Sequence, residues 1–520
     1  MSPEGVFHKM NKQIGRNFIS NVIAFVTNFC ISFFLTPFII RTIGVEANGF
    51  VTLANNFVEY AQLFTVALNS MAGRFITIKV QQKQITQANK YFTSLTFANI
   101  ILSVVFTVIF SIIILFLDRF LSISPGSVND IKVLWAFVIL SFIINLATSS
   151  YWVSTFVSDR LDKSALCTAR GTVLRAGTLV LLYTCLRPHT FYMGIATLVS
   201  GLNVLISHVY FKHKLTPQLR VRREYFDFGC IKELVSSGIW NSVSKLSTIL
   251  SSGLDLLVSN IFVGGVAMGV LNLSKTPSNI IITLFTSITS IFVPQLTIAY
   301  AKKDYDDLKK QLFFSIKLMC LFSSIPIAIL VGFGKTFYGL WVPSQDSELL
   351  TILAVIACFS LVFALPMEPV YNIFTVKNKI KVPSLVLICF SVVSLLTVFI
   401  GLRFFHSENA KIIYLASVGA IFNTIRVLTF LPVYASRCIN SKASAFYSMI
   451  LRNVLSVAIL IAITFLLNTM FDINSWIKLF AACFVILCAG LIVNVLLLFN
   501  KAELRDMLAK LKGFLPSSLK

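Results

Sequence analysis

Six ionisable side chains stand inside long apolar stretches of this sequence. They are three bases and three acids: Lys245, Lys275, Arg426, Glu59, Asp255 and Glu368. An ionisable group within a membrane-spanning segment is costly, so it marks a ligand or ion pathway unless a partner neutralises it. The chemistry that these residues predict is charge recognition: the bases suit an anion and the acids suit a cation.

The two lysines are predicted to lie at similar depth. Lys245 is about 16 Å into one apolar stretch and Lys275 about 14 Å into the next, at 1.5 Å per helical residue. Two cations at one depth repel each other unless an anion lies between them. That anion is either a carboxylate such as Glu59 or a phosphate of a substrate. The structural alternative is an ion pair that joins two lobes.

Two arginines extend this basic set. Arg426 stands beside Asn423 in a later apolar stretch, and Arg74 follows the second one. Together they predict a basic path that leads toward the cytoplasm. For Arg74 the alternative is a side chain that reaches past the hydrocarbon to lipid headgroups, as long basic side chains do at the ends of spans.

Two of the acids are candidates for binding a coupling cation. Asp255 lies toward the outer end of its span, and Glu368 stands between Pro366 and Pro369. Where a helix breaks in a transporter, freed carbonyls and a carboxylate bind Na⁺ or H⁺. A break at the two prolines with Glu368 beside it is one interpretation. A proline-kinked hinge with a satisfied glutamate is the other.

Polar side chains recur at helical spacing in four of the apolar stretches. A helix that faces lipid has no use for such a stripe, so each stripe turns toward protein or water. Helix-to-helix hydrogen bonding is the plainer explanation for any single stripe. Four together favour a shared hydrophilic cavity, whose candidate lining residues are Asn21, Asn55, Glu59, Asn241, Asn272 and Asn279.

Other chemistry finds little support in the sequence. It contains no phosphate-binding loop for ATP and no metalloprotease or serine-hydrolase motif,. The ten cysteines form no CxxC or cysteine–histidine cluster with metal spacing, so we expect no metal site and no cofactor beyond a coupling ion,. The acidic cluster Asp304, Asp306 and Asp307 stands in a short lysine-rich connection, which favours a solvated charge run over a metal-bound catalytic motif. We therefore expect a protein that is not an enzyme.

The elements that hold these residues must be membrane-spanning helices. Of the 520 residues, 57% are hydrophobic and only 12% are charged, and the apolar residues fall in blocks long enough to cross a hydrocarbon core of about 30 Å. We predict an all-α polytopic membrane protein with fourteen spans: 18–40, 48–73, 93–117, 133–157, 168–186, 191–211, 234–262, 266–298, 313–334, 349–376, 383–404, 411–434, 448–471 and 477–499.

The net charge of +23 follows from this topology. Most Lys and Arg residues fall in the connections that would be cytoplasmic if the N-terminus is inside. Such a bias orients membrane proteins, so it predicts two cytoplasmic termini in a bacterial inner membrane rather than a nucleic-acid partner. The tail 501–520 has leucines at helical spacing among lysines, which is typical of either a surface amphipathic helix or a solvated tail.

An internal repeat relates the first pair of spans to the seventh and eighth. Residues of the first copy recur 220 positions later in the second: Asn21, Gly44, Ala47, Gly49 and Leu53 match Asn241, Gly264, Ala267, Gly269 and Leu273. An even number of spans separates the copies, so both have the same orientation. We predict an N-lobe at 1–220 (spans 1–6), a C-lobe at 221–440 (spans 7–12), and a segment 441–520 with spans 13 and 14 and the basic tail.

Five short stretches carry a family resemblance: Gly238-Ile239-Trp240-Asn241-Ser242, Leu254-Asp255-Leu256-Leu257, Gly264 to Gly269, Phe292-Val293-Pro294-Gln295 and Gly73-Arg74-Phe75-Ile76. With them the chain resembles the O-antigen-type polysaccharide flippases of the multidrug/oligosaccharidyl-lipid/polysaccharide exporter superfamily. The resemblance implies two six-helix lobes around a cavity that opens alternately to either side. It also implies ion-coupled transport of an undecaprenyl-pyrophosphate-linked oligosaccharide repeat unit for surface polysaccharide.

In that context we expect Lys245, Lys275, Arg426 and Arg74 to meet the pyrophosphate, and Asp255 or Glu368 to bind the coupling H⁺ or Na⁺. The expected partners are the lipid-linked substrate, membrane lipid and other polysaccharide assembly proteins. A multidrug or cation antiporter and a lipid II-type flippase of the same superfamily remain alternatives. A membrane polymerase or ligase would need a sizeable external loop, and the connections are short.

Overall fold

The structure is a computed structural model that describes residues 3–124, 126–158, 160–290, 292–377 and 379–499. Every regular element among these residues is a helix. The first nine α-helices are α1 (Pro3–Ile43), α2 (Val45–Asn69), α3 (Ala72–Gln81), α4 (Ile85–Leu115), α5 (Leu117–Phe120), α6 (Val128–Thr148), α7 (Val153–Val157), α8 (Leu161–Cys185) and α9 (Tyr192–Leu215). Short 3₁₀ turns occupy Ser149–Trp152 and Arg223–Tyr225.

The remaining helices are α10 (Phe228–Thr248), α11 (Asp255–Phe262), α12 (Gly265–Ser290), α13 (Val293–Ala301), α14 (Tyr305–Trp341), α15 (Ser347–Val376), α16 (Lys381–Gly401), α17 (Glu408–Thr429), α18 (Leu431–Ile439), α19 (Ala443–Met470) and α20 (Trp476–Leu498). A π-helical turn, Ile249–Gly253, separates α10 from α11. Several helices begin at a side-chain cap. Asp304 caps α14 by accepting the Asp307 amide at 3.0 Å, so the acidic cluster predicted to be a solvated charge run begins a helix,.

All fourteen predicted spans coincide with helices, which confirms the all-α polytopic fold class. Helices suit a membrane because each satisfies its own backbone hydrogen bonds. By length and composition alone, twelve helical segments in the described residues are apolar enough to cross a membrane. Predicted spans 7 and 8 are not among them. These are the helices with the densest stripes of Ser, Thr and Asn and a lysine each, so the polar residues themselves lower their hydropathy.

The repeated hairpins share an unusual backbone. Gly44 (φ 88°) and Gly264 (φ 144°) both have positive φ at the turn of each hairpin, a conformation that glycine adopts without strain,. The copies also touch each other at matched positions. A Cβ on Gly49 would lie 2.9 Å from the Cα of Gly269, and Asn272 donates to the Thr52 hydroxyl at 3.0 Å across 220 residues. Contact between matched positions is expected close to a two-fold axis, and it supports the repeat.

The chain forms two compact units, residues 1–273 and 274–520. In the first, a core cluster joins the end of α2 to α3, α4 and α10. Phe92, Leu95 and Leu234 are fully buried in this cluster. The connection between α5 and α6 is also held firmly. Ser122 exchanges two hydrogen bonds with the Asn260 side chain, and Ser124 donates both its amide and its hydroxyl to Glu46.

The second unit is built around α14, which packs against α15, α19 and α20. Buried polar groups fix α19 and α20 to α14: Asn453 accepts from Ser323 at 3.0 Å, and Asn494 donates to the Leu321 carbonyl at 2.7 Å. Gly332 allows close approach, since a Cβ there would overlap Thr464 of α19. Small residues and buried amides are the usual means of packing helices in lipid. Predicted spans 13 and 14 are therefore integral to this unit.

The predicted lobes at 1–220 and 221–440 remain a prediction, as do the cytoplasmic termini. The proposed amphipathic helix at 501–520 lies outside the described residues, and so does the side chain of Asn21.

Candidate functional site

In the first unit, Lys245 lies at the midpoint of the helical run from α10 to α11. Its ammonium forms an ion pair with Glu59 of α2 at 2.8 Å. The pair is only partly buried, with 25% of the lysine side chain and 52% of the glutamate side chain exposed. The carboxylate named from sequence as one candidate anion is therefore the partner of Lys245. Its exposure leaves the ammonium accessible to a second anion.

Close packing of α10 on α2 positions this pair. A Cβ on Gly238 would lie 1.9 Å from the Ala67 carbonyl oxygen, so the backbones meet there. One turn farther, Ser242 donates to the Leu63 carbonyl at 2.9 Å. Asn241, a predicted cavity residue, donates to the Ser70 hydroxyl at 3.0 Å. The polar stripe of α10 thus faces the polar stripe of α2, as helix-to-helix hydrogen bonding predicts.

The helix that carries Lys245 breaks one turn beyond it. The predicted span 7 is continuous, whereas the π-helical turn interrupts it and ends two residues before Asp255. The Gly253 carbonyl, freed by the break, accepts from the Tyr60 hydroxyl at 2.5 Å and from Asn56 at 3.3 Å. Asp255 is half-buried and acts electrostatically on the Tyr60 hydroxyl. π-turns frequently mark functional sites, and this one brings a carboxylate and a carbonyl together.

No such break occurs at the prolines of span 10. α15 runs uninterrupted from Ser347 to Val376 with Pro366 and Pro369 inside it. Of the two interpretations left open by the sequence, the broken helix beside Glu368 does not occur, and a continuous helix that contains both prolines does. Pro disrupts a helix by removing one donor and crowding one carbonyl, and the neighbouring helices of a packed bundle can compensate for both. Glu368 is half-buried in this continuous helix.

Arg426 forms the centre of a polar cluster in the second unit. It is 7% exposed. Its guanidinium donates to the Tyr371 hydroxyl at 2.7 Å and to Asn423 at 2.8 Å, and it is close enough to Glu368 for a charge–charge interaction. The structure therefore unites two residues that the sequence gave different roles, the basic Arg426 and the acidic Glu368. Tyr371, three residues after Glu368, was missed, although the i, i+3 spacing places both on one helix face.

The other predicted residues have separate positions. Lys275 is half-buried near the middle of α12, in the second unit, while Lys245 belongs to the first. Asn279 is exposed one turn farther along α12, and Asn272 is buried against α2. Asn55 bonds to the Val51 carbonyl of its own helix at 3.0 Å. Arg74 is exposed on the short helix α3 after the second span.

The predicted span 168–186 starts too late to show the depth of Arg170 and Arg175. The helix α8 begins at Leu161 instead, so both arginines lie in its middle third. A span predicted from apolar residues begins where they begin, two turns after the helix does, although Asp162 in the first turn is typical of a helix start,.

The comparisons with known proteins agree with this architecture. A family described as polysaccharide biosynthesis protein matches residues 14–299. The uncharacterized membrane protein EpsK of Bacillus subtilis (strain 168) is 26% identical over 465 residues, which cover 89% of this chain and 91% of EpsK.

Solved structures show the same fold. The lipid II flippase MurJ in an inward closed conformation has a TM-score of 0.64 at 12% identity and covers 93% of this chain and 97% of its own. An inward-facing multidrug resistance transporter of the MATE family, from the MOP superfamily, has a TM-score of 0.60 at 14% identity and covers 81% of this chain and 98% of its own.

The resemblance to the flippases of this superfamily is thereby confirmed. The matched residues 14–299 are more than half of the sequence, and the chain belongs to the polysaccharide biosynthesis protein family, as a multi-pass membrane transporter with the fold of the MOP superfamily.

Proposed function

We propose that this protein translocates an undecaprenyl-pyrophosphate-linked oligosaccharide repeat unit from the cytoplasmic to the outer leaflet of a bacterial inner membrane. The product would supply the assembly of a surface polysaccharide. The observation that carries the proposal is a cation at the middle of a spanning helix, Lys245, in a chain of the polysaccharide biosynthesis family.

The physical need for such a cation is direct. An isolated pyrophosphate does not cross a hydrocarbon core of about 30 Å, because an unpaired charge at mid-depth costs several kcal/mol or more. Lys245 and Lys275 both stand near the middle of their helices, and we propose that both contact the pyrophosphate during transport. The Glu59 carboxylate would hold Lys245 until the substrate displaces it. Arg74 and Arg426 would extend the same basic path.

Ion coupling would reset the protein after each cycle, since the chain has no ATP-binding loop. Two acids are candidates, each in a different setting. Asp255 begins α11 beside the π-turn, near the Tyr60 hydroxyl, and Glu368 lies beside Arg426. The broken helix at Asp255 has the features of a site for H⁺ or Na⁺.

A lipid II-type flippase is the second candidate, because MurJ covers 93% of this chain. Its substrate class shares the charged headgroup and saccharide of the first proposal. A multidrug or cation antiporter is the third, since the MATE fold is also similar. Lys245, midway along the run from α10 to α11, and Lys275, near the middle of α12, favour an anionic substrate over a cationic drug.

The test is transport in liposomes that contain the purified protein and carry a fluorescent prenyl-pyrophosphate oligosaccharide in their outer leaflet. We expect the purified protein to move the saccharide to the far leaflet, where a membrane-impermeant oxidant no longer reaches it. The Lys245→Ala variant should lose this protection and Lys245→Arg should keep part of it. Lys442→Ala, an exposed lysine before α19, is the matched control and should behave like the wild type. Drug efflux without saccharide protection would identify the antiporter instead.

The same proposal includes the orientation of the protein in the membrane and its partners. The charge bias predicts that both termini are cytoplasmic. The partners would be the lipid-linked substrate, surrounding lipid and other proteins of polysaccharide assembly.

A further inference from the structure

Trp240 presents an exposed indole ring partway along α10. The side chain is 41% exposed and stands about 18 Å from the start of the helix at Phe228,. The exposed Lys232 and Glu233 precede it by about 10–12 Å along the helix axis,. Charged residues at the start of a span mark the edge of the hydrocarbon core, and the aromatic belts of membrane proteins lie at that edge. Trp240 is therefore too deep for a belt position.

The ring lies on the side of α10 that faces away from α2. Two positions define the packed side: a Cβ on Gly238 would overlap the Ala67 carbonyl, and Ser242 donates to the Leu63 carbonyl at 2.9 Å. Trp240 is two residues from each, which places it about 160° away from both around the helix. The contact between α10 and α2 thus does not use this side chain.

Hydroxyl groups border the ring on its own side of the helix. Ser236 and Ser244 are four residues before and after Trp240, about 40° from it around the helix. Ser237 is about 60° from it. Both Ser236 and Ser237 are exposed. Trp240 therefore stands among the serines of the polar stripe of α10.

The lipid-facing surface of α10 lies elsewhere on the helix. Val235 and Ile239 are 37% and 45% exposed, and they stand about 140° and 100° from Trp240. A surface turned to lipid is apolar, whereas exposed hydroxyls indicate a surface turned to protein or water. The indole consequently belongs to the hydrophilic side of α10, where an aromatic ring is unusual.

The same polar stripe connects Trp240 to the proposed substrate site. Lys245 lies at the opposite edge of the stripe, about 140° from Trp240 around the helix and about 7.5 Å farther along its axis. Ser237 and Ser244 lie between these two edges. An anion held at Lys245 would leave a saccharide attached to it beside the serines and the indole.

We infer that Trp240 and the serines beside it form a saccharide subsite, which contacts the sugar nearest the pyrophosphate. This inference rests on the proposed function and deepens it by assigning residues to the sugar. An indole offers a flat apolar face and one N–H donor. The C–H groups on one face of a pyranose ring pack against such a surface, while its hydroxyls bond to serine hydroxyls. Aromatic surface with a few placed polar groups is the usual composition of a ligand site.

The test compares two lipids for binding to the purified full-length protein in detergent, measured by native mass spectrometry. One is the pool of prenyl-pyrophosphate saccharides extracted from the bacterium that encodes the protein. The other is undecaprenyl pyrophosphate, which has the charged head and no sugar. We expect the wild type to bind the saccharide lipid more tightly than the lipid without sugar.

Substitution of the ring should remove this preference alone. Trp240→Leu should bind the saccharide lipid about tenfold more weakly, the scale of one aromatic contact, and bind undecaprenyl pyrophosphate as the wild type does. Trp240→Tyr should retain part of the preference, because a flat ring remains. Phe228→Leu, which replaces an exposed aromatic residue at the start of the same helix, is the matched control and should bind both lipids normally.

Four outcomes would decide against the inference, and they identify what failed. An unchanged preference in Trp240→Leu overturns the saccharide subsite and leaves pyrophosphate binding intact. An equal loss of affinity for both lipids also overturns it and assigns Trp240 a structural role, since a sugar contact does not affect a ligand without sugar. Equal affinity of the wild type for both lipids means that no saccharide subsite exists. If the wild type binds neither lipid, the proposed function itself is wrong.

Discussion

The ion pair between Lys245 and Glu59 suits two roles, the packing of two helices and the binding of a substrate anion. As a structural pair it ties the last turn of α10 to α2 at 2.8 Å. As a resting state it holds a cation ready for a stronger anion. A partly exposed pair contributes little to stability, commonly less than about 1 kcal/mol. This small contribution to stability supports the proposal that the pair serves transport.

A charge exchange distinguishes the two purposes. The double variant Lys245→Glu with Glu59→Lys keeps an ion pair between the helices but moves the cation to α2. We expect it to remain as stable as the wild type and to export less than a tenth of the surface polysaccharide, because the anion would meet a base at the wrong position. Recovery of normal export by the double variant would mean that the pair is structural only. The measurement is cell-surface polysaccharide at matched protein levels.

We expect substitution of the acids to give a different phenotype from substitution of the bases. Asp255→Asn removes the carboxylate beside the π-turn without changing its size, so we expect slower transport with an altered dependence on the H⁺ or Na⁺ gradient. Glu368→Gln tests the other candidate in the same assay. Asp472→Asn, in the exposed connection after α19, is the control. An unchanged gradient dependence in both test variants would exclude these two carboxylates from coupling.

The position of an ionisable residue along its span was predictable, because it depends on sequence position alone. The mid-helix placement of Lys245 follows from counting residues, and Glu59 was already a candidate partner. The cluster of Arg426 with Tyr371 and Glu368 was not predictable, because it depends on which faces of α15 and α17 meet.

At the level of elements, the approach of α10 to α2 determines whether Lys245 reaches Glu59. Gly238 permits this approach, since a Cβ there would overlap the Ala67 carbonyl oxygen at 1.9 Å. That atom belongs to backbone and cannot rotate away. The two helices would have to separate to admit a side chain.

Gly238→Ala should therefore destabilise the first unit by about 1–3 kcal/mol, the usual effect of overpacking. The measurement is the midpoint temperature of thermal unfolding in detergent. Gly419→Ala in α17 is the matched control, because a Cβ there meets nothing within 4 Å and alanine favours a helix over glycine. Equal unfolding midpoints for the two variants would contradict the packing argument.

The π-turn that interrupts span 7 was not predictable from the hydropathy pattern. Residues 249–253 read as ordinary helix, with no proline among them. The π-turn depends on acceptors and donors from another helix, since Tyr60 and Asn56 of α2 bind the Gly253 carbonyl. The prolines of α15 left a break and a continuous helix as alternatives, and the structure has the continuous helix.

At the level of the whole molecule, the positions and order of the spanning helices followed from the apolar blocks. The block length equals the thickness of the hydrocarbon core, and no tertiary information is needed to recognise it. The internal repeat was also visible, and the matched glycines at its turns explain why it persists. What the blocks do not contain is how the helices associate, and so the integral packing of α19 and α20 on α14 was not foreseen.

Orientation in the membrane is testable by reporter fusions. Fusions at Val45, Gly126 and Gln345 should report the external side, and fusions at Ile85, Arg220 and Tyr305 should report the cytoplasm, because the basic connections remain inside. A fusion at Gly126 that reports the cytoplasm would reverse the topology. The pair Ile85 and Gly126, at opposite ends of α4, is the internal control.

The connection before α6 can report movement of the helices around it. Its residues Ser122 and Ser124 are hydrogen-bonded to Asn260 of α11 and Glu46 of α2. Both backbone amides are held by side chains from the repeated hairpins, at 2.9 Å and 3.0 Å. Their hydrogens should exchange with heavy water far more slowly than those of an ordinary surface turn. If transport moves α2 or α11, these amides would lose protection together. Deuterium uptake at this short segment would then measure how often the protein changes conformation, and no label need be attached to the protein.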